Sequence, residues 1–162
     1  MLLDSEDIDV NVENEWSNTP LSIAAEKGYE TIVKMLLEYE GVNTNSNDKS
    51  GQTSLSQAAE KGQEKIVKLL LNRQDVDTDC RDNYGQTPLS HAAACSKRMR
   101  SSKKGHQEVV RLLLEHEGVD ANLEDKHART PLSWATKRGH KAVVDLLVQR
   151  PGINKPENGD AI

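Results

Sequence analysis

The 162-residue chain contains no phenylalanine, and aromatic residues of all kinds make up only 3% of it. A core that has so few large rings must be built from Leu, Val, Ile and Ala, which are the side chains of close helix packing. No stretch approaches about 18 consecutive apolar residues, so the class of helical membrane proteins is excluded and no membrane partner is expected.

Cysteine is also scarce. Cys80 and Cys95 are the only two in the sequence, which is too few for a disulfide framework. The first residues are acidic, unlike the basic and then apolar start of a signal peptide. We therefore expect an intracellular protein in a reducing compartment, with the cytoplasm as the first expectation and the nucleus as the alternative.

The net charge of -5 is unevenly distributed along the chain. Residues 1–47 carry a net charge of -8, residues 48–93 carry -1, and residues 94–162 carry +4. The negative total argues against general affinity for nucleic acid, which is not an expected partner. The gradient instead favours a partner segment that is basic near the first unit described below and acidic near the last.

Two short patterns recur along the chain. Thr19-Pro20-Leu21 is followed by similar triplets at residues 53–55, 87–89 and 130–132, at offsets of 34, 34 and 43. Lys27-Gly28 recurs at residues 61–62, 104–105 and 138–139, at offsets of 34, 43 and 34. The two series differ in one place only, so nine extra residues lie inside the third unit, between Ala93 and Lys104. The sequence is therefore an internal repeat.

Each unit predicts a pair of short helices. Thr is suited to cap the first helix, Pro is suited to its first position, and a Gly such as Gly28 is suited to end it in a left-handed conformation. The second helix has apolar residues at helical spacing, and Leu69 and Leu112 are expected in the core, where Leu→Ala costs about 2–5 kcal/mol. Because such short helices are unstable alone, the units must stack into an all-α solenoid.

At these residues the chain resembles the ankyrin repeat family. The resemblance rests on GQTPLSHAA, KGHQEVVRLLLEHEGVDAN and RTPLSWATKRGHKAVVDLLV, and it covers about residues 2–154. Ser17 and Ala128 stand where the family has a hairpin glycine. The segments EYEGV and EHEGV resemble segments of ankyrin arrays from filamentous fungi. The resemblance implies a solenoid of helix-turn-helix units with hairpin or loop connections.

The alignment divides the chain into a partial repeat at 1–13, full repeats at 14–47, 48–81, 82–124 and 125–154, and a polar tail at 155–162. The third repeat holds a basic insertion at about 94–103. Because neither end has a polar capping repeat, we expect a fragment of a longer array, or ends that associate with another copy or another chain. The apolar residues expected to lack a neighbour are Leu2, Leu3, Val143, Val144 and Leu147.

No residue pattern supports catalysis, and no cofactor or metal is expected. His106 and His140 follow the turn glycines, where family members use His to tie repeats together by hydrogen bonds. The spacing of Cys80, His91, Cys95 and His106 matches no zinc module.

The insertion ACSKRMRSSKK is the one segment foreign to the repeat. Its first interpretation is a solvated loop. Two alternatives stay open: a nuclear-import or anionic-partner patch, and a kinase substrate at Ser101 or Ser102.

The resemblance implies recognition of another protein through hairpin tips and the exposed surface of the first helices. Trp16 and Tyr84 are candidate hot spots of an interface. The alternative for Trp16 is that it only shields the end of the chain, and the alternative for Tyr84 is an exposed ring without a partner. Trp134 is expected to be partly packed. The remaining tip candidates are Glu15, Asn18, Lys49, Ser50, Gln52, Asn83, Gln86, Lys126, His127 and Arg129. The first-helix candidates are Glu26, Lys27, Glu60, Lys61, Lys137 and Arg138.

The sequence thus predicts a non-catalytic protein-protein interaction module. One alternative is a regulatory domain of a larger enzyme or nucleotide-binding signalling protein. The other is binding of a nuclear or anionic partner through the basic insertion.

Overall fold

The computed structural model describes residues 9–95 and 103–154, which form eight helices and no strand. Consecutive helices pair into four units, which confirms the all-α solenoid. The pairs are α1 (Pro20–Lys27) and α2 (Glu30–Leu37), α3 (Ser54–Lys61) and α4 (Glu64–Leu71), α5 (Pro88–Ala93) and α6 (Lys103–Glu115), and α7 (Pro131–Arg138) and α8 (Lys141–Gln149).

All four first helices begin in the predicted way. A threonine caps each of them, and its hydroxyl oxygen accepts a hydrogen bond from the backbone N–H of the serine three residues later. In units 1, 2 and 4 the helix ends at a glycine in the left-handed region, with φ of 82° at Gly28 and 69° at both Gly62 and Gly139. The caps are Thr19, Thr53, Thr87 and Thr130.

Unit 3 departs from the predicted pattern. Helix α5 has only 6 residues, and α6 begins at Lys103 and has 13 residues. Gly105 therefore lies inside a helix, and its predicted place at a turn is wrong. The nine extra residues lie between α5 and Gly105, so the position of this glycine relative to the first helix differs from that in the other units. Residues 96–102, which include Ser101 and Ser102, lie outside the described residues.

The helices form two layers. First helices pack on first helices and second helices on second helices, from one unit to the next. The first layer is close-packed through small residues, since Ala25, Ala58, Ala59 and Ala92 are completely buried. In the second layer Ile66 is 1% exposed, whereas the aligned Ile32 of unit 1 is 47% exposed. The preceding unit is therefore what buries this position.

Two core predictions are corrected. Leu69 and Leu112 are only half-buried, and the adjacent Leu70 and Leu113 are fully buried. One residue along a helix turns the side chain by about 100°, which moves it from the stacking face toward solvent.

The structure also differs from the expectation about which apolar residues lack a neighbour. Val143 and Leu147 are 3% and 0% exposed, so the prediction that they lack a neighbour is wrong, because they occupy the positions that face unit 3. Val144 is half-buried, and Leu2 and Leu3 lie outside the described residues. Large exposed apolar side chains instead concentrate in unit 1, at Ile23, Tyr29, Ile32, Met35 and Tyr39. Association through the ends stays a prediction.

Truncation of a fully buried leucine tests the stacking face. We expect Leu70→Ala to lower the free energy of unfolding by about 2–5 kcal/mol, because it leaves a cavity between units. The half-buried neighbour is the matched control, and Leu69→Ala should cost clearly less. Urea unfolding followed by circular dichroism measures both values. Equal losses at the two positions would contradict this assignment of the core.

A second set of contacts joins the loops that follow the second helices. Asn45 donates its side-chain amide to the carbonyl of Asp75 in the next unit, at 2.6 Å, and accepts the backbone N–H of Asp77 at 2.8 Å. Asn11 bonds in the same way to Gly41 and Asn43 in the next loop. Asn122 bonds in the same way to Gly152 and Asn154. Each asparagine therefore satisfies one donor and one acceptor of its neighbour.

Asp79 occupies this position in unit 2 and breaks the pattern. Its Oδ2 accepts the backbone N–H of Asp120 at 2.9 Å, but a carboxylate has no N–H to donate to the aligned carbonyl of Gly118. The buried Oδ1 has no hydrogen-bond partner. Burial raises the pKa of the Asp79 carboxyl, the bond from Asp120 N–H opposes this, and the nearby charges of Asp120 and Asp77 add to it.

Replacement of this carboxylate should stabilise the solenoid. We expect Asp79→Asn to raise the free energy of unfolding at neutral pH by roughly 1–2 kcal/mol, since the amide removes the buried charge and the buried Oδ1 that has no partner. Because the folded pKa of Asp79 lies above its ordinary value of 3.8, the ionised form destabilises the fold above that folded pKa. The advantage of the variant should therefore shrink as the pH falls toward 3.8.

Urea unfolding at neutral and acidic pH measures this difference, and Asp77→Asn is the control for loss of a nearby charge. A variant that is less stable than the natural chain at neutral pH would contradict the account.

Candidate functional site

The tip of each unit is the turn that precedes its first helix, at residues 14–18, 48–52, 82–86 and 125–129. Each tip begins with Asn or Asp, whose Oδ1 accepts two backbone N–H groups from the turn itself. Asp82 Oδ1, for example, accepts those of Tyr84 and Gln86 at 2.8 Å each. The equivalent acceptors are Asn14, Asp48 and Asp125.

Each tip then turns through one residue with positive φ. Glycine fills this position in units 2 and 3, with φ of 80° at both Gly51 and Gly85. Ser17 and Ala128 adopt φ of 58° and 56° in units 1 and 4. The prediction that they replace the hairpin glycine is confirmed, and both hold a conformation that glycine adopts at lower cost.

Backbone hydrogen bonds connect neighbouring tips. The N–H groups of Lys49, Asn83 and Lys126 donate to the carbonyls of Trp16, Ser50 and Tyr84, at 3.1, 2.9 and 2.9 Å. The four tips therefore form one continuous edge, in which the backbone of the two middle tips is fixed from both sides.

The second carboxylate oxygen of a tip aspartate reaches the first helix of its own unit. Oδ2 of Asp48 accepts from Gln57 Nε2 at 3.0 Å, that of Asp82 lies 3.0 Å from His91 Nε2, and that of Asp125 accepts from Trp134 Nε1 at 3.1 Å. The two residues are nine positions apart in each unit. Sequence reasoning missed these pairs, although the recurrence of Asp nine residues before a variable polar or aromatic residue was a usable signal.

The carboxylates of Asp82 and Asp125 remain ionised, because their pKa values are lowered. Burial opposes the charge of Asp82, but hydrogen bonds from His91 and from the backbone N–H groups of Gln86 and Tyr84 outweigh it and lower the pKa. Burial likewise opposes the charge of Asp125, and bonds from Arg129, the tip backbone and Trp134 lower its pKa. The tips of units 3 and 4 are therefore held by a charged acceptor, which makes stronger hydrogen bonds than a neutral one.

A groove of about 490 Å³ lies between the tips and the first helices of units 2 to 4. Its lining includes six of the predicted candidates and five residues that were not predicted to bind. The predicted ones are Ser50, Gln52, Tyr84, Gln86 and Arg138, together with the first-helix candidate Glu60; the others are Asp82, His91, Ala94, Cys95 and Trp134. A recess of about 180 Å³ beside it shares Gln52 and Glu60.

The floor of the groove is a fixed polar network. Gln52 Nε2 donates to Glu60 Oε2 at 3.2 Å and lies 3.3 Å from His91 Nε2. Burial opposes the charge of Glu60, while Gln52, Lys61 and His91 lower its pKa, so this carboxylate is also ionised. A partner that enters the groove meets polar groups that already have internal partners.

The predicted aromatic candidates protrude from the edge. Trp16 is 59% exposed in the tip of unit 1, and Tyr84 is 62% exposed in the tip of unit 3, where it also lines the groove. Trp134 is more buried than expected, at 8% exposed.

The other tip candidates divide into two groups. Asn18 and Asn83 hold neighbouring units together, since Asn18 accepts from Gln57 and Asn83 donates to the carbonyl of Lys49. The second group is exposed at the tips outside the groove lining and consists of Glu15, Lys49, Lys126 and His127.

Three cations surround the Trp134 ring in unit 4. The guanidinium carbons of Arg129 and Arg138 lie 4.0 and 5.5 Å from the ring centroid, and Lys137 Nζ lies 5.9 Å from it. Arg129 also binds Asp125 Oδ2 through Nε at 2.9 Å and Nη2 at 2.8 Å. The tryptophan thus gathers positive charge at one end of the groove.

The predicted structural role of the two turn histidines is confirmed. Nε2 of His106 and of His140 lies 2.7 Å from the carbonyl oxygens of Glu60 and Cys95, each in the preceding unit. Cys80 Sγ lies 3.7 Å from Asn47 Oδ1, and Cys95 Sγ lies 3.6 Å from His140 Nε2. Within residues 9–95 and 103–154 no group of three or more His, Cys, Asp or Glu could hold a metal ion, and no helix there is long and apolar enough to cross a membrane.

Comparison with known families agrees with this architecture. A family model described as ankyrin repeats in three copies matches residues 1–82, 40–99 and 98–158. No curated protein matches the chain. Ankyrin repeats are generally protein-protein interaction modules and are typically non-catalytic.

Proposed function

Because the chain belongs to the ankyrin repeat family, we propose that it is a non-catalytic recognition module that binds an extended segment of another protein in the groove of units 2 to 4. The observation that carries this proposal is the exposed ring of Tyr84 at the rim of an open groove of about 490 Å³. Exposed aromatic side chains beside a concave surface are the usual anchors of protein interfaces.

The position of Tyr84 supports this role. Its N–H donates to Asp82, its carbonyl accepts from Lys126, and the next residue is the tip glycine Gly85. The backbone is therefore fixed while the side chain stays accessible. Binding then costs little conformational entropy, because only the ring has to be immobilised.

A display experiment tests the proposal without a known partner. Peptides are selected from a random library on the folded protein and their affinities are measured by fluorescence anisotropy. We expect Tyr84→Ala to weaken selected peptides by about 1–3 kcal/mol, within the hot-spot range. The control is Tyr39→Ala, which removes an equally large ring that is 44% exposed and follows α2 outside the groove lining.

Both variants should keep the melting curve of the natural chain by circular dichroism. If selected peptides bind Tyr84→Ala at full strength, the groove is not the recognition site and the exposed side of the second helices must be searched.

A further inference from the structure

The first helices of units 1 and 2 neutralise the cation in their last turn. Lys27 pairs with Glu26 at 3.2 Å, and Lys61 pairs with Glu60 at 3.3 Å and with Glu26 at 3.6 Å. Lys137 and Arg138 end the first helix of unit 4, and the ion pairs found among the described residues do not include them. Unit 4 therefore differs from units 1 and 2 at equivalent positions.

The charges around Trp134 do not balance. Arg129, Lys137 and Arg138 contribute three positive charges, and Asp125 is the carboxylate that faces them, in contact with both Arg129 and the ring. The ring quadrupole offsets part of the repulsion, but like charges held this close remain unfavourable. A ligand with negative charge would relieve this repulsion.

We infer that Lys137, Arg138 and the ring of Trp134 form a subsite for acidic side chains of the bound protein segment. This inference rests on the proposed function and names the chemistry of the partner. Arg138 and Trp134 line the same groove as Tyr84, so a chain anchored at Tyr84 reaches the cations within the groove. Aspartate or glutamate residues of that chain then pair with the two unmatched cations.

A protein partner fits this subsite better than a nucleic acid. Single-stranded nucleic acids are held by aromatic rings that are open for base stacking, but Trp134 is 8% exposed and covered by cations. The floor beside the subsite also carries the ionised Glu60 and Asp82, which would repel a continuous phosphate backbone. An acidic peptide that is short enough to occupy only the cationic end of the groove avoids that repulsion.

The probe is a short fluorescein-labelled polyglutamate peptide, titrated onto the protein at low salt. We expect the double variant Lys137→Gln/Arg138→Gln to bind it roughly five- to tenfold more weakly and with a flatter salt dependence. The matched control is Lys27→Gln/Lys61→Gln, which removes the same charge from the same helix turn in units 1 and 2. This control should retain the affinity.

A second readout places the peptide in the groove. Trp16→Phe leaves Trp134 as the single tryptophan, and its emission should change on titration with the peptide. The inference is overturned if the two double variants lose affinity equally, if Trp134 emission stays constant, or if Lys97→Gln/Arg98→Gln/Arg100→Gln removes binding instead. It is also overturned if a single-stranded oligonucleotide binds through Arg138 more tightly than polyglutamate does.

The two proposals fail separately. If the binding of library peptides depends on Tyr84 but these peptides contain no acidic residues, the inference of an acidic subsite is contradicted and the proposed recognition function stands. If polyglutamate binding depends on Arg138 but the binding of library peptides does not depend on Tyr84, only the proposed function of the groove is contradicted.

Discussion

The architecture of the recognition edge depends on one shared carboxylate in each of units 2 to 4. In unit 3, Asp82 gives one oxygen to the backbone of the tip and the other to His91 in the first helix. Neither the tip nor the helix can move without breaking a bond to the same charged group. Backbone bonds from tip to tip then extend this constraint to the neighbouring units, so the edge is one rigid surface rather than four independent loops.

The same arrangement explains how the side chains of the surface differ between units while the tip aspartate is retained. The aspartate is retained in units 2 to 4, but its partner on the helix is Gln57, then His91, then Trp134. An amide, an imidazole and an indole can each satisfy the one remaining oxygen. Gln57 lines the recess beside the groove, whereas His91 and Trp134 line the groove itself, and in unit 4 the indole also brings three cations together. The chemistry of this surface is therefore set by side chains that also serve the fold.

Local features of the sequence were predictable, and features that depend on neighbouring units were not. The threonine caps, the turn residues Ser17 and Ala128, and the ties of His106 and His140 follow from residue type and position in the repeat. The spacing of nine residues between Asp82 and His91 recurs in units 2 to 4 and was a usable signal, but the contact itself forms only when tip and helix come together on folding. Burial of Leu70 rather than Leu69 depends on the side from which the next unit approaches, and the helical Gly105 follows nine extra residues that the other units lack.

The rigidity of the tips is the central claim, and native-state hydrogen exchange of two backbone amides tests it most directly. The N–H groups of Tyr84 and Gln86 both donate to Asp82. If the carboxylate joins the tip to the helix, these amides open only when the unit unfolds, and their free energies of opening should match that of Ala92 in α5. Exchange of the Tyr84 and Gln86 amides near the unprotected rate, while Ala92 stays protected, would contradict the account.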